Sequence, residues 1–318
     1  MLRKTEAYVQ AAMKGAEWLL RQQNADGSFI TPEVQGDVYH KAVLALSVSG
    51  HPIEANRLVN WIAATDLQPS GRLRRFDEGL GLYKTSWICQ GAHRLGRFDV
   101  SFPVMQFILS LQAPCGGFFQ SPEITTHIEP VSSAWAATAA LYTGHTAAVR
   151  RAAECFSEMV RQQPDPLRFY VNMSPDGRLL SRDDDPFVDA TKTQQAYYSP
   201  GIAMLFLARL HTATGSAQAL STAVDLLEFS MRCAEDRYAY PASGKSAVGA
   251  AVLYRITGDR RAAKAALQFG DYLLAEQSTE GWWCNPHADN MVIRLDHTAE
   301  FILWLTDIAG VLGAMANG

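Results

Sequence analysis

The chain lacks what several classes of function require. Its 28 Lys and Arg are outnumbered by 32 Asp and Glu, for a formal charge of -4 and a pI near 6.1. A nucleic-acid-binding face needs a basic surplus, so no nucleic-acid partner is expected. No stretch reaches the roughly 18 apolar residues that span a bilayer, and the opening MLRKTEAYVQ holds no apolar run of a secretory leader. A cytoplasmic protein with no membrane span is therefore the expectation. The five cysteines, Cys89, Cys115, Cys155, Cys233 and Cys284, are odd in number and widely spaced, which suits free thiols rather than a disulfide framework. Pro/Ser-rich linkers and strand-type alternation are both scarce, and a single all-α domain over residues 1–318 is expected.

What is present is a repeat. Trp18, Leu19, Gln23, Gly27 and Phe29 follow the frame aromatic-aliphatic-x-x-x-Gln-x-x-x-Gly-x-aromatic. Phe107, Ile108, Gln112, Gly116 and Phe118 fit it again, as do Tyr272, Leu273, Gln277, Gly281 and Trp283. The hydrophobic pair anchors a helix to its neighbour, the Gln can hydrogen-bond exposed backbone near the helix end, and the Gly supplies a turn conformation closed to other residues. Gly50, Gly96, Gly144, Gly215 and Gly258 each end one helical pattern just before the next begins, as C-terminal caps of tight helical hairpins do.

Periodicity of 3.6 residues and these glycine stops predict helices over 5–23, 36–49, 52–65, 82–95, 99–112, 131–143, 145–162, 192–214, 217–233, 242–257, 259–277 and 295–313. Twelve helices in six hairpins, at a period of about 45 residues, point to a closed (α/α)6 toroid rather than an open solenoid with polar capping units. Odd-numbered helices alternate with charge and are expected outside; even-numbered ones are apolar nearly all round and are expected inside. Function is expected at the end that carries the long loops.

The repeat resembles the QW motif of the triterpene cyclases, in the terpenoid cyclase and protein prenyltransferase superfamily. Their pattern basic-Gly-x-x-aromatic-Leu-x-x-x-Gln-x-x-x-Gly-x-Trp closely matches Lys14 to Phe29, and Tyr272 to Trp283 nearly as well. The resemblance implies an α-α toroid with an apolar, aromatic-lined cavity. The ignition motifs of that superfamily do not carry over. SRDDDP lacks the first Asp of an Asp-x-Asp-Asp acid, and Asp184, Asp185 and Asp189 flank Pro186 in a segment that reads as a solvated entrance loop. No Asp-x-Cys zinc pair occurs. A second, less specific resemblance in texture is to (α/α)6 carbohydrate-active enzymes such as unsaturated uronyl hydrolases and glucuronyl epimerases, which use Asp, His or Tyr at inner-helix starts.

Those inner-helix starts carry the candidate residues. Asp37, His127, Tyr198, Lys245 and Asp296 are expected as catalytic groups. Around them Tyr39, His40, Tyr83, Trp87, Glu129, Trp135, Gln194, Tyr197, Tyr240, Trp283 and His297 are expected to bind substrate, forming an apolar pocket with polar anchors. Each has an ordinary alternative: Asp37 as a helix cap, His127 as a solvent-facing imidazole, one of Tyr197 and Tyr198 as packing, Asp296 as a first-turn Asp beside a helix dipole. Asp296 and Glu300 stand one turn apart on a shared face, with His297 beside them. Cys284 and His287 have a C-x-x-H spacing, but a tetrahedral metal site needs at least three protein ligands and no second pair stands out, so neither metal nor cofactor is expected.

The leading expectation is a metal-independent cyclase or isomerase of secondary metabolism, closing a carbon–carbon ring in an apolar terpenoid or polyene. It would act by intramolecular [4+2] cycloaddition or mild acid-assisted cyclisation, drawing on positioning and polarisation. The alternatives are a carbohydrate-active hydrolase, lyase or epimerase working by general acid-base catalysis, and a non-enzymatic binding toroid.

Overall fold

Apolar positions repeating at helical spacing, punctuated by glycine, produce a mainly helical chain. The structure is a computed structural model and describes residues 2–32, 34, 39–76, 80–285 and 288–316. Among these residues there are twelve α-helices: α1 Leu2–Gln22, α2 Ala42–Val48, α3 Pro52–Thr65, α4 Gly81–Arg94, α5 Phe98–Ser110, α6 Pro130–Tyr142, α7 Thr146–Arg161, α8 Tyr198–Thr214, α9 Ala217–Arg232, α10 Gly244–Thr257, α11 Arg260–Glu276 and α12 Met291–Ala316. Between α7 and α8 lie four short strands, β1 Arg168–Tyr170, β2 Asn172–Met173, β3 Leu179–Leu180 and β4 Phe187–Asp189, paired antiparallel as β1 with β4 and β2 with β3. The chain forms two compact units, Met1–Ile108 with Leu273–Gly318, and Leu109–Tyr272.

The even-numbered helices α4, α6, α8 and α10 are buried at nearly every position through their central turns. Helices α3, α7 and α9 bury a single stripe, at spacings of three and four residues. No described helix is long and apolar enough to cross a membrane.

The repeated Gln and Gly act together as one joint, built three times. Gln23 Nε2 donates to the carbonyls of Gly27 (2.9 Å) and Glu54 (3.0 Å); Gln112 Nε2 to those of Gly116 and Ala148 (both 2.8 Å); Gln277 Nε2 to those of Gly281 and Ala11 (both 2.9 Å). Each Gln thus ties its own turn to the exposed backbone of another helix. Each Gly has positive φ (+91, +98 and +108°), and a Cβ there would lie 2.2–2.5 Å from the carbonyl oxygen of Arg57, Arg151 or Lys14. That carbonyl belongs to the residue three positions beyond the Gln acceptor in every copy.

The five hairpin glycines also have positive φ, but a Cβ at any of them would meet nothing within 4 Å. Two different costs follow. Gly258→Ala carries only the left-handed backbone penalty of about 1–2 kcal/mol. Gly281→Ala adds overlap with the Lys14 backbone and is expected to lose roughly 2–4 kcal/mol. Urea unfolding of the two variants measures the difference, and equal losses would show that the close approach at Gly281 has no energetic weight.

Three helix starts lie four or more residues from expectation. The helix expected over 192–214 starts at Tyr198, because the Asp236 carboxylate takes the Gln194 N–H (2.6 Å) and the Tyr197 hydroxyl (2.5 Å), and Gln194 is held at φ +56°. The helix expected from residue 36 starts at Ala42. Helix α12 starts at Met291 rather than 295, which places Asp296 in the second turn rather than the first.

Candidate active site

Asp296, Glu300 and Trp304 recur every four residues on α12 and so share one face. Opposite them stand His40 and Lys41, immediately before α2. Lys41 Nζ donates to Asp296 Oδ2 (2.7 Å) and Glu300 Oε2 (2.5 Å). The other Glu300 oxygen accepts from Trp304 Nε1 (3.0 Å), and the other Asp296 oxygen lies 3.6 Å from His40 Nε2. Rings enclose the cluster: His40 meets Tyr83 edge-on (5.9 Å), Tyr83 meets Trp87 (6.0 Å), and Trp87 meets Trp304 (5.9 Å).

Burial sets the electrostatics. It would by itself depress the Lys41 ammonium, but Asp296 and Glu300 outweigh it and hold Lys41 above its ordinary value. Burial likewise opposes the charge on Asp296, and Lys41 and His40 outweigh that, so the carboxyl is held below its ordinary range. At His297 burial wins and lowers the imidazole, favouring its neutral form. The His297 Nδ1 is buried without a hydrogen-bond partner. Asp296 is the more open of the two carboxylates, its side chain 23% exposed against 11% for Glu300.

Of the residues expected from sequence, His40, Tyr83, Trp87, Asp296 and His297 come together in this unit. Tyr39 is engaged elsewhere: its hydroxyl donates to Asp66 (2.8 Å), which also accepts from Arg75 Nε (2.7 Å). Trp283 is part of the repeat joint, donating its indole N–H to the Leu273 carbonyl (2.7 Å) and its backbone N–H to Thr298 Oγ1 (3.1 Å). Asp37 and His287 lie outside the described residues. Lys41 was not among the expected groups. Its signal in the sequence is its place at the head of the apolar run AVLAL, where a cation requires a buried counter-charge.

The remaining candidates belong to the other unit. Glu129 is the N-cap of α6, accepting from the amides of Val131 and Ser132 (both 2.6 Å), although burial raises its pKa. Beside it His127 is half-buried, with Nδ1 3.0 Å from Thr126 Oγ1, and Trp135 is buried within α6. Tyr197 is kept a neutral phenol by burial and by Asp236, and meets Tyr240 edge-on at 6.5 Å. Tyr198 is exposed, with the ammonium of the buried Lys245 5.8 Å from its ring centre, and Gln194 is exposed. Among the described residues no group of three or more His, Cys, Asp or Glu has the geometry to hold a metal ion.

No protein-family profile and no curated protein matches the chain. Solved structures do. The GH76A alpha-1,6-mannanase of Salegentibacter sp. HEL1_6 is 13% identical, with 96% of this chain and 99% of that one aligned at a TM-score of 0.68. A D-mannose isomerase is 12% identical over 98% of this chain and 97% of that one, at 0.67. A type II terpene cyclase from Scytonema, in complex with its product merosterolic acid A, is 13% identical over 98% and 99%, at 0.64. The likeness establishes the fold, an all-α (α/α)6 toroid.

Proposed function

We propose that this protein is an isomerase or cyclase that works by proton transfer on one small organic substrate, with the Lys41, His40, Asp296 and Glu300 cluster as its acid-base centre. One observation carries the reading: among the described residues the Lys41 ammonium faces two carboxylates in a buried setting, so these three groups together carry one net negative charge. A proton on His40, or one taken from substrate, restores the balance. Asp296 is the accepting oxygen, since it is the more open carboxylate and is held ionised. Lys41 supplies the positive charge that stabilises the site when the proton leaves. His297, its imidazole favoured in the neutral form by burial, is placed beside Asp296 to exchange a proton with it in turn. Tyr83 offers a ring and a hydroxyl at the edge of the cluster.

Such a centre is too weak an acid to protonate an unactivated alkene. The substrate therefore carries an enolisable carbonyl or a conjugated carbonyl, whose proton can be removed at one atom and returned at another. Acid-assisted ring closure of a conjugated polyene carbonyl fits this chemistry. An intramolecular [4+2] closure draws less support from the site, since a pericyclic step moves no proton.

A second reading, action on a sugar, is favoured by the number of ionisable groups gathered at one place and by the likeness to a mannanase and a mannose isomerase. Incubation in deuterium oxide with a panel of reducing sugars and conjugated polyene carbonyls, read by NMR, separates the readings. Deuterium fixed on carbon in one class identifies that class as substrate. Ring closure without deuterium would overturn proton transfer in favour of the pericyclic route, and no conversion of either class would sink the reading altogether.

A further inference from the structure

We propose that Cys115 and Cys155 form a peroxide-reactive thiol pair, with Cys115 as the attacking sulfur and Cys155 as the resolving one. Their sulfurs lie 3.7 Å apart, in contact but unbonded, although the residues are 40 positions apart in sequence. Cys115 is half-buried in the turn after α5, whereas Cys155 is buried on α7. The two line a hollow of about 480 Å³ together with Met173, whose sulfur is 3.9 Å from that of Cys155. The pair has no part in the acid-base centre.

Its greater exposure and the neighbouring Arg151 mark Cys115 as the reactive member, and the repeat explains its place in the turn. Cys115 immediately precedes the joint glycine Gly116, and the residues before the corresponding glycines Gly27 and Gly281 are Asp26 and Glu280, both anionic. In the first copy the turn directs the amide two residues onward, that of Ser28, at Asp26 Oδ1 (2.9 Å), and this holds the Asp26 carboxyl below its ordinary value. In the second copy the same position in the turn belongs to Gly117, whose amide favours the anion at the Cys115 sulfur and also at that of Cys155. In the third copy the equivalent amide, that of Trp282, donates to Ser278 Oγ instead (3.0 Å); in the second, where residue 113 is an alanine, the turn favours a thiolate at Cys115.

The charged groups around the pair are Arg151, Glu154, Glu158, Arg161 and Asp176. Arg151 is anchored to the turn through the Ala113 carbonyl (2.9 Å). The contact with Cys155 and this guanidinium both favour the Cys115 thiolate, while the same contact and burial hold Cys155 protonated.

The reaction balances with hydrogen peroxide as oxidant. Cys115 thiolate attacks one peroxide oxygen; the S–O bond forms, the O–O bond breaks, and the departing hydroxide is protonated to water. Cys155 sulfur then attacks Cys115 sulfur while its proton passes to the sulfenic oxygen. The S–S bond forms, the S–O bond breaks, and a second water leaves. Two electrons have passed from the thiols to the peroxide.

The test uses the full chain, with Cys284, the other half-buried thiol, as internal reference. At pH 7 iodoacetamide is expected to label Cys115 about tenfold faster than Cys284, with the two rates converging as pH rises past the ordinary thiol range. Peroxide should yield a Cys115–Cys155 linked peptide in the native protein and a dimedone-trapped sulfenic acid at Cys115 in Cys155→Ser, but leave residue 155 unmodified in Cys115→Ser. Equal labelling of Cys115 and Cys284 would overturn the proposal, as would oxidation spread over all five cysteines. A reactive Cys115 that ends as sulfinic acid beside a reduced Cys155 would overturn the resolving role.

Discussion

Replacing Lys41 with methionine is expected to lower stability by about 3–5 kcal/mol at pH 7, the usual cost of removing one partner from a buried ion pair. The methionine fills the space but leaves Asp296 and Glu300 facing each other without the ammonium. The pH profile carries the sharper signature. In the native protein Asp296 is held below its unfolded value, so its contribution is present above about pH 4 and is lost as pH falls through the folded value. Lys41 is raised, so its contribution is present below about pH 10 and is lost as pH rises through the folded value. Between these limits the pair contributes a flat profile.

In Lys41→Met the buried carboxylates bind protons more readily folded than unfolded, so stability should climb as pH falls from 8 towards 5. Adding Glu300→Gln should recover part of the loss. Urea unfolding followed by tryptophan fluorescence reads this directly, since Trp87 and Trp304 line the cluster. A variant with native stability and a native pH profile would mean that the cluster is not held by charge.

Asp296→Asn is expected to do the reverse, sparing the fold while lowering turnover by roughly 10²- to 10⁴-fold. The change removes the accepting oxygen and the stability that the ionised Asp296 contributes, but leaves Lys41 paired with Glu300, one charge against one, so the melting temperature should fall less than in Lys41→Met. Turnover is measured as deuterium fixation on whichever compound class the native protein converts. The loss should lie in kcat more than in KM, because the carboxylate acts on the proton in flight rather than holding the substrate. If Asp296→Asn turned over at the native rate, the base would have to be sought elsewhere, with His297 the next group to change. If the variant unfolded instead, the charge count on which the proposed mechanism rests would be wrong.

The helices and their ends were legible because their causes are local. A stripe every three or four residues, a Gln and a Gly at fixed spacing, and glycines where the chain must turn left-handed all act within a few residues. Ten of the twelve expected starts therefore fall within four residues of the observed ones. The two displaced furthest, before α2 and α8, belong to segments preceded by loops. At α8 a remote carboxylate, Asp236, decides where the helix begins. The small sheets before α8 escaped notice because strands of two or three residues carry no periodicity.

The sequence by itself determined the all-α class, the hairpin turns and the Gln-to-Gly turn inside each joint, since each is specified by neighbours along the chain; the other half of each joint comes from a distant helix. It also offered the face shared by Asp296 and Glu300, because helical pitch fixes that from spacing alone. Only the tertiary structure decided that this face meets Lys41, 255 positions away, and that Tyr39, Trp283 and Glu129 are taken up by hydrogen bonds to Asp66, to backbone and to a helix end. Polar residues at helix starts look alike in sequence. What separates a reactive group from a capping or packing one is the desolvation and charge brought to it by distant segments, and those exist only once the chain has packed.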